Sequence, residues 1–504
     1  MRTLGILRSV RATSGKIYQY VWNDSPPAGA MKEVYFAPDK SYVVAFFKDK
    51  QNSTAVERLE DLVGQYRRGI FEQEGGEYWK NIYCWPTDLI RDGERVGIVV
   101  PAYQKKFFFE HNGSVIETKG LEKEGKWFAS PVHHFGYLND KDIGDWRSYF
   151  NICLLLARGV RRLHRAGLAH SDLSYKNVLI DPVSQSVAII DIDGLVVPGK
   201  FPPDVLGTPD FIAPEVYETM ELPMDKRRLP CQETDRHALA VLIYMYLLYR
   251  HPLRGKKIWD CNDEQRDEAL SMGAKALFIE NETDKCNRYD VNWVKNNYPP
   301  SKVKFMLPWM DLDKLPYTIL GPYLSPLIEQ AFVKGLHSPK DRPTADAWED
   351  AIVKTMDLMQ PCSNPKCRQR WFVFDNKKAP QCPFCGQRFT DPLPVLNLYQ
   401  AYGDTYRPCN WRVMVFNGTR IYPWHVHPNL MPGERLKDEQ KKAVAYFQFY
   451  NGQWYIFNER ATQMKHLVAQ SLIPIGTSVV LQDGIQILLD GPGTRMIHVQ
   501  MVNT

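Results

Sequence analysis

Residues 234 to 249, Thr-Asp-Arg-His-Ala-Leu-Ala-Val-Leu-Ile-Tyr-Met-Tyr-Leu-Leu-Tyr, are apolar nearly all the way round a helix. A helix without a polar face has to be surrounded by protein, so this stretch predicts a central buried helix inside a sizeable domain. Thr234 or Asp235 is placed to cap its start. Its sixteen residues are too few to cross a bilayer. At 504 residues the chain exceeds what one core organises, and two to four domains are expected. Charged residues make up 24% and hydrophobic residues 44%, a soluble globular balance. Sixty-three basic against 58 acidic side chains leave a net charge of only +5, which gives no reason to expect a nucleic-acid surface. No run of about eighteen apolar residues is present, and Met1-Arg2-Thr3-Leu4 lacks a signal-peptide core. The expectation is a cytoplasmic protein that binds neither membrane nor nucleic acid.

The rest of the chain reads in segments. Lys32 to Phe36 and Ser41 to Lys48 flank Ala37-Pro38-Asp39-Lys40 as a hairpin. Val56, Leu59, Leu62 and Val63 then share a helix face, and Val96 to Val100 form a strand ended by Pro101. From about 145 to 165, Trp146, Phe150, Leu156, Val160 and Leu163 recur at helical spacing until Gly167. Beyond 395, strand formers alternate with turn pairs such as Asn417-Gly418, Asn451-Gly452 and Asp483-Gly484, predicting a small β-sandwich.

One stretch carries chemistry. His170-Ser171-Asp172-Leu173-Ser174-Tyr175-Lys176-Asn177 is followed by the apolar run Val187-Ala188-Ile189-Ile190 and then Asp191-Ile192-Asp193-Gly194. A phosphoryl group in transfer needs metal ions, cationic anchors and an aligned nucleophile. Asp191, fixed at the end of the apolar run, can ligate Mg²⁺, and Asn177 offers a neutral oxygen to the same metal. Asp172 is then free to take a proton from the acceptor hydroxyl. Lys48, just after Ala45, is placed to pair with nucleotide phosphates.

These residues resemble the motifs of the eukaryotic-like protein kinases, over about residues 15 to 357. The catalytic-loop pattern His-Arg-Asp-Leu-x-x-x-Asn matches 170 to 177, and Asp-Phe-Gly resembles Asp191-Ile192-Asp193. The strand motif Val-Ala-x-Lys resembles Val44-Ala45-Phe46-Phe47-Lys48 with one residue extra. Ala213-Pro214-Glu215 stands as Ala-Pro-Glu, after Gly207-Thr208-Pro209. Asp235 resembles the aspartate that braces the catalytic loop, and Arg342 the arginine that pairs with Glu215. Val99-Val100-Pro101-Ala102 resembles the hinge that holds adenine. The resemblance implies catalytic roles for Asp172, Lys48, Asn177 and Asp191. It implies nucleotide contacts from Gly29, Lys32, Val34, Ala45, Lys48, Glu60, Val100, Ala102, Asn177 and Asp191, with ATP and Mg²⁺ (or Mn²⁺) as cofactors and Asn177 and Asp191 as magnesium ligands.

Four departures qualify it. Pro27 to Val34 keeps only Gly29 of a glycine-rich loop; Lys32 within it reads either as a compensating phosphate contact or as a solvated surface lysine. Ser171 replaces the arginine that pairs with a phosphorylated activation loop, which implies loop ordering without phosphorylation. Ser174 stands where serine/threonine kinases keep a lysine, leaving Lys176 two residues on. Asp193 replaces a glycine. The acidic partner of Lys48 is open between Glu57 and Glu60, with Glu60 preferred.

Cysteine usage adds a metal site. Four of the ten cysteines form Cys362-x₄-Cys367 and Cys382-x₂-Cys385, fourteen residues apart. Two close pairs can close on one tetrahedral ion, and four thiolates select Zn²⁺ or iron. This looks like a zinc ribbon. Residues 411 to 503 resemble a forkhead-associated domain, with Asn458 as candidate recognition amide and Gly418-Thr419-Arg420 only a loose echo of its Gly-Arg pair. His425 and His427 read as edge or loop histidines. The expected architecture is multidomain α+β, a bilobal protein-kinase-like fold with zinc ribbon and C-terminal β-sandwich. Its parts are an N-lobe (1–103), a mainly helical C-lobe (104–357), a zinc ribbon (358–394) and a forkhead-associated-like sandwich (395–504). The expected function is ATP-dependent phosphorylation of protein serine or threonine hydroxyls, with the accessory modules docking substrates or partners; the alternative is a pseudokinase scaffold. The assembly resembles bacterial serine/threonine kinases encoded beside a von Willebrand-type domain protein and a PP2C-type phosphatase, which implies those as partners besides a protein substrate.

Overall fold

A computed structural model describes residues 5–26, 31–203, 205–375, 377, 379–403 and 405–502. Gly29 lies outside the described residues. The chain divides into two compact units: residues 1–144, 151–310 and 328–347 make the first, and residues 145–150, 311–327 and 348–504 the second.

The first unit opens with antiparallel strands. β1 (Ile6–Arg11) pairs with β2 (Ile17–Trp22), and β3 (Lys32–Phe36), β4 (Tyr42–Phe47), β5 (Asp88–Asp92) and β6 (Arg95–Pro101) form a sheet in the order β3-β4-β6-β5. Successive side chains of a strand point to opposite faces. On β4 this sends Val44 and Phe46 into a core with Tyr20, Tyr35 and Val99. Ala45 and Phe47 go to the other face, against Leu59, Leu89 and Ile98. Leu59 comes from the helix Ser53–Asp61, whose start is capped by Asn52 accepting from the Ala55 amide at 2.8 Å.

The apolar stretch that opened the sequence is the helix Gln232–Leu248, with fourteen of its 17 residues buried, as a helix lacking a polar face requires. Its start differs from the expectation. Cys231 is the N-cap, and the Thr234 hydroxyl accepts from the Cys231 amide at 2.9 Å. Asp235 does not cap; its carboxylate turns to the 170s loop. The short strands β7 (Val178–Asp181) and β8 (Ser186–Ile189) carry that loop and the segment after it.

The second unit is rich in sheet. Met359–Pro361 pairs with Trp371–Val373, a strand that lies between the two cysteine pairs. Six strands lie side by side in the order Thr405–Met414, Leu393–Tyr402, Met496–Val502, Gln486–Leu488, Lys465–His466 and Ser471–Leu472. A second sheet holds Arg420–Ile421, Ala445–Tyr450, Gln453–Asn458 and Ser478–Val480. The Asn451-Gly452 hairpin forms as read from sequence. Both residues have positive φ, 47° and 77°, a backbone that asparagine and glycine tolerate best. His425 and His427 fall at a short helix, Pro423–Val426, rather than on a strand; His425 is buried and reaches Asp357 Oδ2 at 3.0 Å.

Candidate active site

The loop from His170 to Asn177 is held from below by one carboxylate. Asp235 accepts from the His170 amide at 2.7 Å, the Ser171 amide at 3.2 Å and His164 Nε2 at 3.0 Å. These bonds hold Ser171 in a left-handed conformation, φ 65°, that a non-glycine residue adopts only when its surroundings impose it. His170 Nε2 lies 3.0 Å from the Ile190 carbonyl, and the Ile190 amide donates to the Asn177 carbonyl at 3.0 Å. The loop and the acidic turn after β8 are thereby tied together.

Asp172 is oriented on both oxygens. Oδ1 accepts from the amide and hydroxyl of Thr208 at 2.6 and 2.8 Å, and Oδ2 from Asn177 Nδ2 at 2.8 Å. Asn177 Nδ2 also reaches the Asp172 carbonyl at 2.9 Å, so Oδ1 of Asn177 is the atom a cation would take. Gly207, at φ 119°, permits the approach: an added Cβ would sit 3.1 Å from Ile212 Cγ1 and 3.3 Å from the Ser171 carbonyl. Thr208 Oγ1 is 3.2 Å from Ser174 Oγ, and Ser174 is fully buried, whereas Lys176 is exposed. Thr208 is thus a working part of the loop, and its removal would not report on phosphorylation.

Asp191 begins a tight turn with φ 60° and ψ 37°. Lys32 Nζ bonds Asp191 Oδ1 at 3.0 Å and both oxygens of Asp193, at 2.7 and 2.6 Å. Burial opposes a charge on Lys32, but Asp193 and then Asp191 outweigh it and hold the ammonium well above its ordinary pKa. Burial likewise penalises the Asp191 carboxylate, and Lys32 together with His170 reverses the sign and holds its pKa low. Lys32 and Asp191 therefore both carry charge at neutral pH.

Other expected contacts fall elsewhere. Lys48 lies beyond the last residue of β4 and is exposed. Glu60 is paired with Arg91, and Glu57 with Lys200 at 3.3 Å. The helix turns Arg58 inward instead, 4% exposed, with Nη1 donating to the Pro202 carbonyl at 3.2 Å. Ala102 donates its amide to the Ser41 carbonyl at 3.1 Å, so that hinge group is committed within the sheet. Val34 and Ala45 stand opposite each other on β3 and β4, and Val100 packs on the Ala45 cluster.

Ala188 and Ile190 of the apolar run belong to a separate cluster with Leu179, Phe107 and half-buried Cys84 and Tyr103, which the sequence did not single out. Burial and the nearby Asp193 carboxylate push the Cys84 thiol up to about 12. At the far end of the loop after Asp191, Arg342 forms a fork on Glu215 at 2.8 and 2.7 Å, the pairing expected from the motifs.

The four cysteines also converge. Their sulfurs all lie within 4.8 Å of one another, with Cys362–Cys385 at 3.5 Å and Cys367–Cys382 at 3.8 Å. A tetrahedral ion with bonds of about 2.3 Å needs its sulfurs about 3.8 Å apart, so the donor set fits zinc. Asn458 is saturated within its own domain. Its Nδ2 donates to the Ala461 and Ile473 carbonyls at 2.8 and 2.7 Å, and its Oδ1 accepts from the Ala461 amide at 2.9 Å. It fixes a loop and offers no free amide to a ligand.

Residues 129–351 match the protein kinase domain, a stretch that contains Asp172, Asn177, Asp191 and Glu215 and begins after β6. The chain is 28% identical over 145 residues to the serine/threonine-protein kinase PknD of Chlamydia felis, covering 23% of this chain and 14% of that protein. It is 34% identical over 124 residues to the death-associated protein kinase dapk-1 of Caenorhabditis elegans, covering 23% of this chain and 7% of that protein. The chain therefore spans only a small part of the length of these relatives. Among solved structures it is similar to ROP2 from Toxoplasma gondii, described as a virulence factor with a protein-kinase fold and no enzymatic activity. That likeness has a TM-score of 0.36 at 14% identity, over 70% of this chain and 84% of that one. No helix among the described residues is long and apolar enough to cross a membrane.

Proposed function

We propose that this chain transfers the γ-phosphoryl group of ATP to serine or threonine hydroxyls of a protein. The observation that carries the reading is the fixed carboxylate of Asp172, held by Thr208 and Asn177 within a segment matching the protein kinase domain. In the reaction the acceptor oxygen bonds the γ-phosphorus as its bond to the β–γ bridging oxygen breaks. The hydroxyl proton passes to Asp172, and ADP leaves with the bridging oxygen. Asn177 and Asp191 would hold Mg²⁺ or Mn²⁺, which neutralises phosphate charge when bound. Val34, Ala45, Val100 and Leu179 supply apolar walls for the base. Cys362, Cys367, Cys382 and Cys385 would hold Zn²⁺ as a structural ion, since four protein thiolates leave no open coordination position. The sheet-rich region is read as a docking module for protein partners.

A second reading, a scaffold that binds nucleotide without efficient transfer, is favoured by the buried Ser174 where a lysine is usual. A γ-phosphate transfer assay with Mg²⁺ or Mn²⁺ separates the two, comparing wild type with Asp172→Asn and Asp191→Asn. Transfer by wild type that drops at least about a hundredfold in both variants is expected. Equal rates in all three would remove the transfer reading, and nucleotide binding with no transfer by wild type would favour the scaffold.

A further inference from the structure

In the motif as usually written, the anchoring lysine follows the alanine of its strand by two residues, which places both side chains on one face. In this chain that position is Phe47. Lys48 follows Ala45 by three residues, and a shift of one residue moves a side chain to the opposite face. A cation on the Ala45 face comes from the neighbouring strand. Lys32 is the register partner of Phe47 and shares a face with Val34, the partner of Ala45. Its Nζ passes 5.6 Å from the Phe47 ring centroid and ends on Asp191 and Asp193.

The acid that would ordinarily position such a lysine is also displaced. The acids of the helix Ser53–Asp61 that face the loop or the sheet edge are engaged elsewhere: Glu60 with Arg91, and Glu57 and Asp61 with Lys200. Asp193, its side chain only 11% exposed, takes the ammonium instead.

We infer that Lys32, not Lys48, is the phosphate anchor of the nucleotide site, and that Asp193 is the acid that positions it in place of a helix glutamate. The inference rests on the reading of this site as a nucleotide site. An ammonium has three donors. While Asp191 and Asp193 both engage it, Lys32 neutralises the turn. A cation taken by Asp191 frees one donor for a phosphate oxygen and leaves Asp193 to hold the lysine in place. The one-residue extension after Ala45 and the acid in place of a glycine are then two halves of one rearrangement.

The test compares Mg²⁺-ATP and adenosine binding to the full chain by calorimetry, because an anchor for phosphate affects only the first ligand. Lys32→Met is expected to weaken ATP about tenfold or more, with adenosine affinity retained as the control for folding. Lys48→Met should stay within about twofold of wild type for both ligands. Lys32→Arg keeps the charge and part of the affinity. Asp193→Asn should weaken ATP selectively, and Asp193→Glu should recover it. Placing the cation on the neighbouring strand, Lys32→Ala with Phe47→Lys, should recover ATP binding that Lys32→Ala loses. Loss of ATP binding in Lys48→Met but not in Lys32→Met overturns the inference, as does a wild type that binds ATP no better than adenosine. A wild type that binds ATP and does not transfer removes the transfer reading and leaves the anchor standing.

Discussion

Thr208 links three parts of the site through one hydroxyl, which donates to Asp172 at 2.8 Å and lies 3.2 Å from Ser174. A hydrogen bond to a charged acceptor contributes more than a neutral one, about 1.5–3 kcal/mol. Thr208→Val keeps the shape and removes the hydroxyl, so its transfer rate should fall about tenfold or more while its melting temperature stays near wild type. Thr208→Ser should restore the rate; failure of serine to do so would show that the methyl group, not the hydroxyl, matters. That Asp172 and Asn177 meet was legible because they sit five residues apart within one local segment. The other partner of Asp172 was not, since Thr208 lies 36 residues away and only the folded loop brings it back. Lys48 was matched by residue type, although it follows Ala45 by three residues where the motif has two.

At the level of elements, the buried helix Gln232–Leu248 was the clearest expectation, and its consequences extend beyond packing. It buries His237, whose two ring nitrogens have no hydrogen-bond partner among the described residues. Burial above all, followed by Arg342, His251 and His337, lowers its pKa well below the ordinary value. The unfolded chain takes up a proton near pH 6.5 that the folded helix refuses, so this contribution is complete above about pH 6.5 and is lost as pH falls below it. The expected slope is about 1.4 kcal/mol per pH unit for this residue over that window. His237→Phe should flatten the acid limb of a denaturant-midpoint profile between pH 6.5 and 5 (about one and a half units below the ordinary histidine value). An unchanged slope would assign the acid sensitivity to other groups. Asp235, on the same helix, takes the bracing position that the motif resemblance implied rather than the cap that its place in the sequence also allowed: it accepts from the His170 and Ser171 amides.

Across the whole molecule, the cysteine module is the part where the proposed zinc ion would bear most on stability. Among the described residues its regular structure is two three-residue strands, Met359–Pro361 and Trp371–Val373. Its surroundings in the second unit are aromatic: Phe384 packs edge-on to Trp146 at 4.8 Å, and Trp371 Nε1 donates to Asp145 at 3.2 Å. Metal stripped by a chelator should therefore unfold this segment first. Limited proteolysis is expected to cut between 358 and 394 after chelation while one zinc per chain is released, and Cys382→Ser should behave like the stripped protein. Unchanged protection after complete metal release would count against a structural ion.

The sequence by itself determined the local things: a helix that had to be buried, strands and their turns, four cysteines able to close on one ion, and the acids and amide of one loop. Each depends on spacing within a few residues, where 3.6- and 2-residue periods hold without knowledge of the rest. Tertiary structure decided which charges meet wherever no motif named the pair. It put Lys32 against Asp191 and Asp193, gave Glu60 to Arg91 and saturated Asn458. Electrostatic partners are chosen by distance in space and by burial, and neither is written in the order of the residues.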